Sequence, residues 1–212
     1  KKLVAPAMNT NMYENPITQD NLETLRRYGF GIIDPAVGML ACKDVGAGKL
    51  PKEELLYNHI LQEILYPKDL AGKKVLVTAG PTCEPVDPVR IYTNRSSGKM
   101  GYAIAGELAA RGAEVTLVTG RTALPTPAGV TRCDVLSAEE MYRAATAAFD
   151  RADGAVMCAA VADYTPETCA DRKLKKGDGE LTIRLRRTKD IAAELGSRKG
   201  GRVLVGFALE TD

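Results

Sequence analysis

The sequence predicts an α/β fold, with a doubly wound parallel sheet over residues 74–212 and a partial α/β segment over residues 1–66 before it. Three observations predict it. From Lys74 onward, apolar runs of strand length alternate with amphipathic helical periods. The first run, Val75-Leu-Val-Thr-Ala79, is nearly continuous in apolar residues, as in a strand covered on both faces. A polar stretch, residues 67–73, separates this alternation from an N-terminal part with two helical periods, and is read as a linker.

Composition narrows the functional classes. With 45% apolar and 26% charged residues, the chain of 212 residues is neither disordered nor fibrous. It can bury roughly 70% of its extended surface without a metal or disulfide staple. No apolar run approaches the ~20 residues of a bilayer span. Twenty-nine basic against 27 acidic residues leave +2, too little field to attract nucleic acid. Five cysteines, odd in number and without a CxxC spacing, argue for a reducing cytoplasm rather than a disulfide framework or a zinc site. A single histidine, His59, disfavours a His-based triad and reads as structural. No signal peptide precedes the strand-like Leu3-Val4-Ala5. Lacking an initiator methionine, the chain is expected to begin inside a longer protein or after a processing site, and to lose material beyond Asp212.

The elements follow in order. Residues 3–8 read as a short strand. A helix opens at Asn15-Pro16, capped by Thr18 or Asp20, and stops at Gly29. Residues 30–35 form a second strand, and residues 36–50, with Gly38, Gly46 and Gly48, a mobile loop. A helix spans residues 52–66. Past the linker come a buried strand at 75–79, a helix at 99–111 with Met100, Ile104 and Leu108 on one stripe, and strands at 114–119 and 130–135. Ser137 and Glu140 form a capping box for a helix over 137–151. A strand at 154–160, a half-exposed strand at 181–186, a short helix at 190–195 and a buried strand at 202–209 complete the chain. This order makes the sheet Rossmann-like with right-handed crossovers. Its ligands belong at the carboxyl ends of the strands, in loops 80–98, 120–129 and 161–176.

Several segments carry chemistry. The loop after the first ligand-bearing strand, residues 80–98, exceeds the ~2–6 residues usual for such a connection. It has neither G-x-G-x-x-G nor a P-loop, and three prolines stiffen it. Thr93, Asn94, Ser96 and Ser97 place donors before a helix, either for phosphate or as helix caps. Asp163, leaving the fourth strand, meets a metal–phosphate or ribose, or caps a turn. Lys173, Lys175 and Lys176 either neutralise a triphosphate or form a solvated basic loop. Asn9 ends the first strand, where it can bond a carboxylate or amide. Cys42 lies in a glycine-rich loop that favours exposure and reactivity, whereas isolated cysteines are ordinarily structural.

Together these segments resemble the bifunctional coenzyme A biosynthesis flavoproteins that combine phosphopantothenoylcysteine decarboxylase with phosphopantothenate–cysteine ligase. Pro6-Ala7-Met8-Asn9 with Asn11-Met12-Tyr13 is similar to the decarboxylase motif P-x-M-N-x-x-M-[WY], whose Asn holds the substrate carboxylate. Ala41-Cys42 with Gly46 and Gly48 resembles the substrate-covering flap, whose Cys donates a proton. Lys43, Lys49 and Leu50 replace that flap's usual Gly, Arg and Met. In the ligase half, Thr78-Ala79-Gly80-Pro81-Thr82, Asp87-Pro88-Val89-Arg90 and residues 94–101 resemble the family signature.

The resemblance implies that Asn94 carries the acyl-cytidylate on to product, that Lys173 of the K-x-K-K loop acts in acyl-cytidylate formation, and that Ser96 and Ser97 bind substrate. It implies a CTP site from Cys158, Ala159, Asp163, Lys173, Lys176, Lys189, Asp190, Ile191, Ala192 and Phe207, with Lys189 where the family has Pro. The implied function is CTP-dependent ligation of 4'-phosphopantothenate to cysteine. Mg2+ is held mainly through the CTP phosphates, and FMN-dependent decarboxylation follows in the full-length protein only. The implied domains are a decarboxylase remnant at 1–66, a linker at 67–73 and a C-terminally truncated ligase domain at 74–212. The implied setting is the cytoplasm, as a homodimer through the ligase domain and a larger homo-oligomer at full length, without nucleic acid or membrane. Two other classes compete: an NAD(P)-dependent reductase, disfavoured by the missing G-x-G-x-x-G and by Thr119-Gly120-Arg121 where an acid would end the second strand, and a non-catalytic nucleotide-binding or assembly module.

Overall fold

A computed structural model describes residues 1–176 and 179–209; the expected domain end at Asp212 lies outside the described residues. The chain forms two compact units, Lys1–Tyr66 and Pro67–Asp212.

In the first unit, β1 (Lys2–Val4) and β2 (Phe30–Ile32) pair in parallel, with α1 (Thr10–Tyr13) and α2 (Pro16–Arg27) between them. The cap of α2 is Asn15, not Thr18 or Asp20: its side chain accepts from the Ile17 amide at 2.9 Å, and Pro16 takes the first helical position. A proline there loses no bond, because the first amides of a helix have no partner in it. Residues 36–50 are not a loose loop. They fold as an antiparallel hairpin of β3 (Ala36–Met39) and β4 (Val45–Lys49), followed by α3 (Glu53–Leu65). Two of the glycines read as mobility, Gly46 and Gly48, serve close approach instead. A Cβ on Gly48, at φ +129°, would meet Met8 O at 2.1 Å, and one on Gly46 would meet Thr10 Oγ1 at 2.3 Å.

The second unit opens with residues 67–73 packed down rather than spanning free. Leu70 donates to Arg111 O at 3.0 Å, Asp69 pairs with the Arg111 guanidinium, and Leu70 lies against the core. The sheet is five parallel strands: β5 (Lys74–Ala79), β8 (Glu114–Thr119), β9 (Val130–Asp134), β10 (Gly154–Met157) and β13 (Val203–Gly206). Their spatial order is β13-β10-β5-β8-β9. Chain order reverses at β5, so the β5–β10 boundary is the switch point, where doubly wound sheets open a crevice at their carboxyl ends. Two short antiparallel pairs sit in the connections: β6 (Cys83–Pro85) with β7 (Ile91–Thr93), and β11 (Tyr164–Pro166) with β12 (Leu185–Arg187). Only the last two residues of the strand expected at 181–186, with Arg187, join the latter pair, and all three are exposed.

Each sheet face has its own core. Val77, Ala79, Val115 and Leu117 pack with α4 (Lys99–Ala110) through Tyr102 and Ala105. Leu76, Val118 and Ala155 pack with α5 (Ala138–Phe149) and α6 (Ile191–Ser197) through Met141, Phe149 and Leu195. Full burial of each large side chain stabilises by about 1.5–3 kcal/mol. The buried face of α4 is Gly101, Tyr102 and Ala105, one residue on from the stripe of Met100, Ile104 and Leu108, because small residues let the helix approach the sheet: a Cβ on Gly101 would lie 2.6 Å from Ala79 Cβ. Half of the expected capping box of α5 forms: Ser137 accepts from the Glu140 amide at 3.2 Å, while Glu140 reaches one residue past the cap and accepts from Leu136 N at 2.6 Å. The strand expected to be buried at 202–209 is outermost among the described strands. Of the sheet's strands, β13 pairs with β10 alone, and Val203 stays 67% exposed.

Candidate functional site

A cleft of about 940 Å³ opens at the carboxyl ends of β5, β10 and β13. Backbone bonds assemble its walls. Ala160 N donates to Gly80 O at 2.9 Å, tying the chain beyond β10 to the end of β5. Phe207 N donates to Met157 O at 3.1 Å, setting the ring beside β10. Thr188 N donates to Asp163 O at 2.9 Å and its hydroxyl to Ala162 O at 2.7 Å, so the segment before α6 is laced to the segment after β10.

Asn94 lies just past the β6–β7 hairpin, with its side-chain amide donating to Val161 O at 3.0 Å and Ala160 O at 3.4 Å. Two carbonyls facing one nitrogen decide which way the amide is turned. Among the described residues, Asn94 Oδ1 receives no hydrogen bond and remains an acceptor. Asp163 is exposed on the cleft wall. Asp190 caps α6, accepting from Ala193 N at 2.8 Å. Lys189 contacts Glu139 at 3.1 Å and lies 4.4 Å from the Tyr142 ring centre. That hydrogen bond from Lys189, with Arg143 alongside, holds the Glu139 carboxyl below its ordinary range.

The structure therefore gathers Asn94, Ala159, Asp163, Lys189, Asp190, Ile191, Ala192 and Phe207 around one cleft. Cys158, Ser96, Ser97, Lys173 and Lys176 are not among its described lining residues. Cys158 N pairs with Thr78 O, and burial pushes its thiol pKa up, so the group stays protonated. Ser96 and Ser97 turn their hydroxyls to the amides of Gly98 and Lys99 at 3.4 and 3.5 Å. Lys173 and Lys176 are exposed on a loop held at Leu174 by Asp87 and Arg90. Sequence reasoning missed Arg95 and Thr188 as lining residues. Arg187 was legible as part of a late basic cluster with Arg184 and Arg186, suited to a small polyanion; Thr188 carried no signal, since its role is a bond to a residue 26 positions away.

In the first unit, Asn9 caps α1 by accepting from Asn11 N at 2.8 Å, and its amide donates to Cys42 Sγ at 3.3 Å. Cys42 is exposed at the tip of the β3–β4 hairpin, within 3.4 Å of Asp44 Oδ2. His59 is half-buried on α3; burial lowers its pKa, against the pull of Asp34 and Glu63.

Family models match both units: residues 70–212 match the DNA/pantothenate metabolism flavoprotein C-terminal domain, and residues 1–65 match the flavoprotein family. Over 212 residues the chain is 48% identical to the coenzyme A biosynthesis bifunctional protein CoaBC of Vibrio parahaemolyticus, covering 99% of this chain and 53% of that protein. It is 47% identical over 215 residues to a cysteine/cysteine sulfinic acid decarboxylase of an unknown prokaryotic organism, covering 60% of that protein. The crystal structure of the C-terminal domain of a CoaBC protein superposes with a TM-score of 0.60 at 47% identity, covering 67% of each chain. The chain spans about half the length of the curated CoaBC relatives it matches. No helix among the described residues is long and apolar enough to cross a membrane. With a C-terminal-domain model matched from residue 70 onward on a doubly wound sheet whose cleft lies at the switch point, the chain belongs to the DNA/pantothenate metabolism flavoprotein family.

Proposed function

We propose that the second unit joins 4'-phosphopantothenate to the amine of cysteine in coenzyme A biosynthesis, using CTP through an acyl-cytidylate. The observation that carries this reading is the meeting of Asn94, Asp163, residues 189–192 and Phe207 around one cleft at the switch point of the sheet. The cleft is large enough for a nucleotide and its acyl partner, and Arg95, Arg187 and Lys189, set against Asp163 and Asp190, leave its lining slightly basic.

A carboxylate is a poor acceptor for an amine, so it first attacks the α-phosphorus of CTP. An acyl–phosphate bond forms, and pyrophosphate leaves with the electron pair of the broken anhydride. Lys173 and Lys176, with the basic wall, offset the charge that develops on the leaving group. Cysteine's amine then attacks the acyl carbon, loses a proton, and CMP departs. Because the nitrogen of Asn94 faces two carbonyls, its free Oδ1 is assigned to accept from the incoming amine and aim its lone pair. Phe207 offers a face for the base.

Asp163 supplies one exposed carboxylate, and no cluster of three or more candidate ligands occurs among the described residues. Magnesium is proposed to arrive with the triphosphate, where it would supply charge neutralisation. For the full-length protein we propose a following FMN-dependent decarboxylation, to which the first unit contributes Asn9 to hold a carboxylate and Cys42 as proton donor. Homodimers and cytoplasmic residence belong to the same proposal.

The test is pyrophosphate release from CTP with phosphopantothenate, in the full-length protein, with thermal-shift titrations of CTP and NADPH beside it. CTP-dependent release and stabilisation by CTP are expected. Stabilisation by NADPH alone would replace this reading with a reductase, and nucleotide binding without pyrophosphate release would replace it with a binding module.

A further inference from the structure

The lysine run at 173–176 lies in the long connection between β11 and β12, and no described residue from Glu167 to Arg184 joins a helix or strand. Such a connection is ordinarily mobile, yet one point of it is gripped from both sides. Asp87 Oδ2 accepts from Leu174 N at 3.0 Å, and Arg90 Nη1 donates to Leu174 O at 2.9 Å. The same Arg90 nitrogen reaches Asp87 Oδ2 at 2.7 Å, while Asp87 Oδ1 accepts from the amides of Val89 and Arg90 at 2.7 and 2.8 Å. The Asp87 side chain is fully buried. A further bond, Ala170 N to Val86 O at 3.0 Å, holds the same loop to the same hairpin turn.

We infer that Asp87 and Arg90 are positioning residues, which clamp the Leu174 backbone so that Lys173, Lys175 and Lys176 are held for a polyphosphate. The inference rests on the proposed ligase reading for what the lysines serve, but the clamp itself is independent of that reading. Both polar backbone groups of Leu174 are taken up by the hairpin, whereas among the described residues the flanking lysines have no ion-pair partner. The hairpin that grips the loop also ends one residue before Asn94. One stiff element thus sets the cations that act on the leaving group and the amide that receives the nucleophile, and a floating loop would spend part of its binding energy on ordering.

The experiment uses the full-length protein and two readouts: hydrogen exchange at the Leu174 amide, and binding of inorganic triphosphate by titration calorimetry. Asp87→Asn, Arg90→Ala and Arg90→Lys are compared, each checked for an unchanged circular dichroism spectrum. Asp87→Asn and Arg90→Ala are each expected to speed Leu174 exchange and to weaken triphosphate binding by about tenfold, the worth of one charge-assisted hydrogen bond. Arg90→Lys, which keeps a donor at that place, is expected to recover much of both. Asp87→Asn decides between positioning and simple attraction: it removes a negative charge, so bulk electrostatics predicts tighter binding and the clamp predicts weaker. Tighter or unchanged binding in Asp87→Asn, or unchanged Leu174 exchange in both disruptive variants, overturns the inference. Should wild type bind triphosphate and respond as stated yet release no pyrophosphate from CTP, the ligase reading fails and the clamp stands.

Discussion

The side-chain nitrogen of Asn94 lies 3.0 Å from the carbonyl oxygen of Val161, 67 residues later in the chain. That contact joins the connection after β5 to the connection after β10 across the switch point, and it fixes which end of the amide faces a ligand.

Asn94→Asp keeps the shape but sets an oxygen against the carbonyls of Ala160 and Val161. With CTP, phosphopantothenate and cysteine, we expect amide product to fall by about 10²-fold while pyrophosphate release continues and an acyl-cytidylate accumulates. Chromatography of quenched reactions separates the two steps. Equal loss of both products would assign Asn94 to activation instead.

Phe207 is 51% exposed on the cleft wall, so truncating it removes contact surface for a base without opening the core. Phe207→Ala is expected to raise the Kd for CTP by roughly 5- to 150-fold, the range of about 1–3 kcal/mol for one stacked base. Its melting temperature without ligand should match wild type. Calorimetric titration of CTP and of inorganic triphosphate into the variant checks this, since only the former should weaken.

Asp87 is expected to contribute to acid unfolding. Burial pushes its carboxyl up, but the amides of Leu174, Val89 and Arg90, with the charge of Arg90, outweigh burial and hold it at about 2, below the ordinary 3.8. A group depressed in the folded state binds fewer protons there than in the unfolded chain, so its stabilisation is full above about pH 5 and lost as pH falls through about 4 toward 2. Urea unfolding at successive pH values should show this loss in wild type and a flatter acid limb in Asp87→Asn. Parallel limbs would count against it.

Gly101 lets α4 approach the sheet. A Cβ there would lie 2.6 Å from Ala79 Cβ and 3.0 Å from Thr78 O, both parts of a core strand that cannot yield cheaply. Gly101→Ala is expected to cost about 1–3 kcal/mol by overpacking, despite alanine's better helix propensity. Thermal unfolding reads it, and a variant as stable as wild type would show that the helix can shift outward.

Local patterns marked much of the second unit before any contact was known. The strand over 75–79 was legible because a run apolar on both faces has only one comfortable place, inside a covered sheet, and α5 because Ser137 and Glu140 satisfy amides within one turn. The hairpin at 36–49 was not, since glycines chosen for close approach carry the same letters as glycines chosen for flexibility. The exposed setting of β13 escaped notice too: an apolar run states what a strand prefers to touch, and neighbours decide what it touches.

The candidate site divides along the same line. The sequence by itself determined which groups are candidates for chemistry, Asn94, Asp163 and the lysine run among them, because residue type and short spacing are one-dimensional. Only the tertiary structure decided that Asn94 shares a cleft with residues 189–192 and Phe207, that Arg187 and Thr188 belong there, and that the lysine run hangs from Asp87. The hydrogen bonds that bring this about join residues 26 to 87 positions apart. They follow from strand order and from where buried backbone groups find partners, neither of which any local window of the chain contains.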